Sequence, residues 1–202
     1  MSRRALLAAA ALCVAGLAAT TAHAESAVRG RVTLDLPGTS LADLGPVVVY
    51  LAREAGSPKP ADALPSVHQK DAHFAPSFLA VAAGQSVAMP NDDRIFHNVF
   101  SYSKPNDFDL GLYPAGESRT VPMRHAGVVK LYCSIHESMS GTIFVAPTPW
   151  FDTATADGAF TLRGVPPGRH RLRTWNERLP DTEREIDVPA SGELRLEIPL
   201  VP

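Results

Sequence analysis

Hydrophobic positions in this chain come in short runs that alternate with polar residues or are rich in valine, and the helical interval of three and four is scarce. Eighteen prolines and fourteen glycines punctuate those runs. Turn residues between short alternating segments predict an all-β protein. Strands are expected near Val28–Leu34, Val47–Ala52, Phe78–Val81, Ser86–Pro90, His97–Ser101, Ser118–Pro122, Gly127–Tyr132, Thr142–Val145, Ala159–Arg163, Arg169–Trp175, Glu183–Val188 and Glu193–Pro199. The segment from Phe108 to Tyr113, followed by Pro114 and Gly116, reads as a packed loop leading into the strand at Ser118.

Two breaks divide the pattern. One is the Pro-, Ala-, Ser- and Gly-rich stretch from Arg53 to Ser66, and the other is Pro147-Thr148-Pro149. Beyond the second break, Asp157-Gly158-Ala159-Phe160-Thr161-Leu162, Val165-Pro166-Pro167-Gly168 and Arg169–Trp175 form a turn, strand, turn, strand succession, as in a β-meander. This stretch resembles the small transthyretin-like or carboxypeptidase-regulatory-like sandwiches. Their opening strands resemble Val28-Arg29-Gly30-Arg31-Val32 and Val47-Val48-Val49-Tyr50-Leu51, which here stand far upstream. The resemblance implies that residues 26–54 and 148–202 build one discontinuous sandwich around an inserted domain at 55–147. In the alternative, the first strands belong to the inserted domain's own sheet.

The first residues carry a different signal. Arg3 and Arg4 precede an apolar run from Ala5 to Ala19 and a small-residue exit at Ala22-His23-Ala24, the pattern of a cleavable secretory signal over residues 1–24. Ser2-Arg3-Arg4 fits twin-arginine export as well as ordinary Sec export. The expected location is therefore the periplasm or another exported compartment. No later apolar run approaches the ~20 residues that span a bilayer, so no transmembrane anchor is expected. With Arg3 and Arg4 set aside, 17 basic side chains face 21 acidic ones, a formal charge of about −4 that argues against nucleic acid as a partner.

Removing the signal also removes Cys13 and leaves Cys133 as the one thiol of the exported chain, so it has no internal disulfide partner. A lone thiol is often a small buried hydrophobe. This one lies in Tyr132-Cys133-Ser134-Ile135-His136-Glu137-Ser138-Met139, where thiol, imidazole and thioether stand three residues apart. Such soft ligands suit a redox copper ion, although Zn²⁺ also accepts Cys and His. A further histidine follows Asn91-Asp92-Asp93 at the start of the alternating His97-Asn98-Val99-Phe100.

Together the segments resemble the cupredoxins, the plastocyanin, amicyanin and pseudoazurin superfamily. That pattern has a G-x-x-V turn, here Gly84 to Val87, then an Asn-Asp loop, His-Asn-Val and a late Cys-x-x-His loop with Met. The match covers residues 66–146, and the short Cys133 to Met139 spacing is most similar to amicyanin. The resemblance implies a cupredoxin Greek-key β-sandwich plus a second small immunoglobulin- or transthyretin-like β-sandwich. It implies one type 1 copper ion held by His97, Cys133 and His136, with Met139 as a weak axial ligand, and Asn98 as a residue tying the two ligand loops together. The implied function is single-electron transport between redox partner proteins, with His136 as the exit. Glu137 and Ser138 depart from the proline and apolar neighbours usual in amicyanin-like loops, which weakens an apolar docking patch and favours a basic partner.

His68, His73 and His125 lack metal-ligand spacing and read as solvated or hydrogen-bonded, and His170 belongs to a basic, solvated strand face. Met89 and Met123 read as core fillers. Trp150 and Trp175 read as core residues, with a carbohydrate-binding surface on the second sandwich as the minority reading. No nucleophile with a paired base, carboxylate pair or phosphate-cradling loop is apparent, so the chain is not expected to be an enzyme. A copper storage or delivery protein, or a glycan-binding module with incidental copper, are the alternatives to an electron carrier.

Overall fold

The computed structural model describes residues 26–52 and 64–201. The export segment with Cys13, and most of the Arg53–Ser66 break, lie outside the described residues. In chain order the elements are β1 (Ser26–Leu34), α1 (Leu41–Leu44), β2 (Val47–Leu51), β3 (His68–Lys70), β4 (His73–Ala75), β5 (Phe78–Ala82), β6 (Ser86–Pro90), β7 (His97–Ser101) and β8 (Phe108–Tyr113). They continue with β9 (Ser118–Pro122), β10 (Gly127–Tyr132), β11 (Ser140–Ala146), β12 (Phe151–Thr153), β13 (Ala159–Val165), β14 (Gly168–Asn176), β15 (Thr182–Val188) and β16 (Glu193–Leu200). The protein is an all-β sandwich structure, as the alternating pattern predicts.

Every predicted strand is present to within two residues at each end. The strands that the pattern did not predict are short or irregular. β3, β4 and β12 have three residues each, too few for alternation to register. β8, expected as a loop, pairs with β7, but Gly111 sits at φ +64° and the register shifts between Asn98 and Phe100. That bulge leaves Leu112 exposed and Tyr113 buried, so burial departs from the alternation of Phe108, Leu110 and Leu112 that the sequence carries.

One core belongs to the chain's two ends. β1 lies between β13 and β16, with Val28 opposite Leu162 on one side and Leu194 on the other. A second sheet, in the order β12-β2-β14-β15, packs over it. Val28, Val49, Leu51, Phe160, Leu162, Leu172, Ile186 and Ile198 fill the space between them. Residues 64–146 leave after β2 and return before β12, and Thr148 Oγ1 donates to the Leu51 carbonyl at 2.9 Å where the two crossings meet.

The excursion forms its own core. A five-stranded sheet in the order β5-β11-β10-β7-β8 is completed by the β6–β9 and β3–β4 ribbons. Val87, Met89, Val99, Tyr113, Met123, Val129, Leu131, Ile143 and Val145 pack inside, together with Cys133 and Met139. Met89 and Met123 are fully buried, as expected of core fillers.

The two cores share a wall. Val48, Tyr50 and Trp175, on the outer face of the β2–β14 sheet, pack against Phe78, Val128, Phe144 and Ala146 of the five-stranded sheet. Trp175 stacks on Phe144 at 4.9 Å and on Phe78 at 5.8 Å. β2 is therefore covered on both faces, which accounts for its unbroken apolar run Val47-Val48-Val49-Tyr50-Leu51.

Candidate metal centre

β10 and β11 are an antiparallel pair whose last partners are Tyr132 and Ser140. The seven residues between them are thus confined to one end of the sheet, and the Met139 N–H closes a turn on the His136 carbonyl at 3.0 Å. Register alone brings Cys133 and Met139 back to neighbouring positions.

His97 reaches the same end from β7, which pairs with β10. The preceding loop is shaped by Asn91, which is fully buried and donates to the carbonyls of Ile95 and Tyr113 at 2.9 and 3.1 Å while accepting from the Asp93 N–H at 3.1 Å. His97 Nδ1 lies 3.6 Å from Cys133 Sγ, and the His97 and His136 rings are 5.0 Å apart. The ligand atoms of His97, Cys133 and His136 all fall within 4.8 Å of one another. This is the one such grouping of three among the described residues.

The donor set fits a soft metal ion. His97, Cys133 and Met139 are almost wholly buried. Nδ1 of His136 is also buried and has no hydrogen-bond partner, an arrangement that costs free energy unless something else accepts its lone pair. Burial alone pushes the Cys133 thiol up, but the His97 ring and the backbone N–H groups of Ile135, Asn98 and His136 outweigh it and bring the thiol down to about 6. For His97, burial acts downward, and the hydrogen bonds to Cys133 and Asp93 raise the group overall. The site thus favours thiolate at neutral pH, the form that binds metal.

Asn98 lies where β7 and the Cys133 loop meet. Its Oδ1 accepts from the Ser134 N–H at 2.8 Å and the Ser134 hydroxyl at 2.7 Å, and its Nδ2 approaches Asp109 at 3.4 Å. The side chain therefore bridges β7 to the Cys133 loop.

Asp93 is a neighbour that sequence reasoning missed. Its Oδ2 accepts from His97 Nε2 at 3.0 Å, on the side of the ring away from Cys133. Backbone N–H groups of Ala72, the His97 ring and the Arg94 N–H hold its carboxyl down to about 2. The i, i+4 spacing from Asp93 to His97 was visible, but only the loop's fold turns the carboxylate towards the ring.

The remaining histidines have other partners. His68 bonds Asp92 at 2.5 Å and Ser66 at 2.9 Å, His73 bonds the Asp71 carbonyl, and His170 bonds the Pro166 carbonyl. His125 is bound through its backbone to Asn106. Trp150 packs on the core built from the chain's two ends and donates from Nε1 to the Gly164 carbonyl, and Trp175 stacks in the wall between the cores. Although Glu137 and Ser138 are polar, Ile95, Phe96, Leu112 and Ile135 are exposed on the ligand-bearing loops and on β8 opposite Asn98. Apolar surface at this end thus comes from Ile135 of the Cys133 loop and from Ile95, Phe96 and Leu112 of the neighbouring segments.

No family model matches the sequence. No curated protein matches it either. Solved structures similar to it include a purple cupredoxin from Nitrosopumilus maritimus, 22% identical over 41% of this chain and 99% of that one, with a TM-score of 0.37. A reduced tryptophan-to-tyrosine mutant of amicyanin is 20% identical over 43% of this chain and 86% of its own, with a TM-score of 0.39. An oxidised proline-to-alanine mutant of amicyanin is 20% identical over 48% and 97%, also at 0.39. No helix among the described residues is long and apolar enough to cross a membrane.

Proposed function

We propose that this protein is an exported copper protein of the cupredoxin type that carries single electrons. His97, Cys133 and His136 are its ligands, and Met139 is a weak axial one. The observation that carries this reading is the buried, unpartnered Nδ1 of His136 beside Cys133 and His97. Bound copper supplies a one-electron couple. The protein's contribution is to hold the donors. The register of β10 and β11 and the Asn98 bridge pin the Cys133 loop, and the Asn91-shaped loop pins His97. A donor set pinned by these contacts needs little rearrangement when charge changes, which favours fast electron exchange.

Half-buried His136 is the exit for electrons, and the exposed apolar side chains around it provide the contact face for a redox partner protein, with Glu137 favouring basic groups on that partner. The sandwich built from the chain's ends is transthyretin-like in this reading and serves as a rigid second module. The signal at residues 1–24 delivers the protein to the periplasm or beyond.

The test is spectroscopic. Mature protein loaded with Cu²⁺ is expected to absorb intensely in the visible through sulfur-to-copper charge transfer, and Cys133→Ala to lose that band. A colourless copper-loaded wild type refutes the assignment. Loss of copper to an acceptor during redox cycling would favour delivery over electron transport.

A further inference from the structure

The anchor of His97 extends into a hairpin that electron transport by itself does not require. Asp71 and Ala72, in the turn between β3 and β4, adopt φ of 51° and 55° although neither is glycine. Left-handed backbone is costly for residues with a Cβ and persists only where surrounding contacts demand it. Here the Ala72 N–H donates to Asp93 Oδ2 at 2.9 Å, the same oxygen that accepts from His97 Nε2 at 3.0 Å. The Arg94 N–H holds the other carboxylate oxygen at 2.8 Å.

The hairpin is itself locked to the site's core. Gln69 of β3 is fully buried, its side-chain amide N–H groups donate to Tyr113 Oη and the Met89 carbonyl, and its backbone carbonyl accepts from the Asp92 N–H at 2.9 Å. Asp93 is 16% exposed, and its Oδ2 is shared by the Ala72 N–H and the His97 ring. With Nε2 donating to the carboxylate, Nδ1 is the nitrogen left facing Cys133 Sγ.

We propose that Asp93 and the β3–β4 turn form an anionic clamp on the back of His97, which orients the imidazole towards the metal and favours a doubly charged ion over a singly charged one. The carboxylate makes the ring a stronger donor, and its charge stabilises a dication more than a monocation. The clamp makes Asp93 a positioning residue for the proposed copper site. It rests on the copper reading only for the identity of the metal.

Asp93→Asn retains the shape and a hydrogen-bond acceptor while removing the charge. The probes are Cu²⁺, Cu⁺ and Zn²⁺, titrated into apo protein whose melting shows that the variant is folded. Affinity for Cu²⁺ and Zn²⁺ is expected to fall about tenfold, in line with other partners of ligand histidines, while Cu⁺ affinity changes by less than about twofold. The midpoint potential then rises by about 59 mV. An unchanged Cu²⁺ to Cu⁺ affinity ratio, or an equal loss for both ions, overturns the proposal. Ala72→Gly keeps the donor N–H and relieves the turn, so it should leave that ratio intact. A shift as large as that of Asp93→Asn would assign the effect to the turn and overturn the role of the carboxylate. If the wild type binds no copper, the electron-carrier reading fails while the Zn²⁺ comparison still decides the clamp.

Discussion

Replacing Asn98 by alanine isolates the bridge between β7 and the Cys133 loop. Asn98 is buried, and it accepts two short hydrogen bonds from Ser134. Each such bond contributes about 1 kcal/mol net, so their loss costs about 2 kcal/mol. The contact to Asp109 at 3.4 Å is too long to add much. Ser134 is exposed, so water can satisfy its freed N–H and draw the cost towards about 1.5 kcal/mol. For a protein of this size that lowers the melting temperature by about 3–6 °C.

Ser134→Ala removes only the hydroxyl bond and should cost about 0.7 kcal/mol. In the double variant that bond has already gone, so its cost should equal that of Asn98→Ala alone, with a coupling of about 0.7 kcal/mol. The assay is denaturant unfolding of apo protein, following the transition that added copper should move to higher denaturant under the proposed function. Strict additivity of the two single variants refutes the bridge, as does a cost for Asn98→Ala below about 0.5 kcal/mol.

Three further outcomes are expected. Trp175→Ala removes the ring between Phe78 and Phe144 and should cost about 2–3 kcal/mol, below the range for a fully buried tryptophan, and calorimetry should then resolve separate melting of the two cores. In apo protein, thiolate absorbance near 240 nm should titrate with a midpoint near 6, against 9.0 for an unperturbed thiol. Because the folded value is the lower one, the stabilisation from Cys133 is complete above pH 9.0 and is lost as pH falls through 6, and a Cys133→Ser comparison of stability across that window checks the sign. Gly30→Ala would place a Cβ 2.3 Å from the Leu196 carbonyl oxygen and 2.7 Å from the Phe160 ring, so it should cost about 2–3 kcal/mol by urea unfolding while leaving the copper spectrum unchanged.

Local chemistry determined much of this protein. A period of two and turn residues at its breaks are properties of neighbouring positions, so the regular strands were legible from the chain alone. The Cys133, His136 and Met139 spacing was legible for the same reason, since one short turn must bring those side chains together whatever surrounds it. Asn98 could be read as a bridge because it adjoins His97.

Tertiary structure decided what depends on partners distant in sequence. Pairing of β1 with β13 and β16 put the chain's two ends in one core, and nothing local distinguishes that from pairing with the inserted strands. The wall that covers the second face of β2 explains its continuous apolar run only once Phe144 and Trp175 are seen against it. β8 was hidden because Gly111, Pro114 and Gly116 mark a loop although Phe108, Leu110 and Leu112 alternate, and hydrogen bonding to β7 makes it a strand regardless. Asp93 is the sharpest case. Its spacing from His97 is written in the sequence, but its direction is set by the Ala72 N–H of a hairpin twenty-one residues upstream. A carboxylate's effect depends on which atom it faces, and only the folded loop determines that.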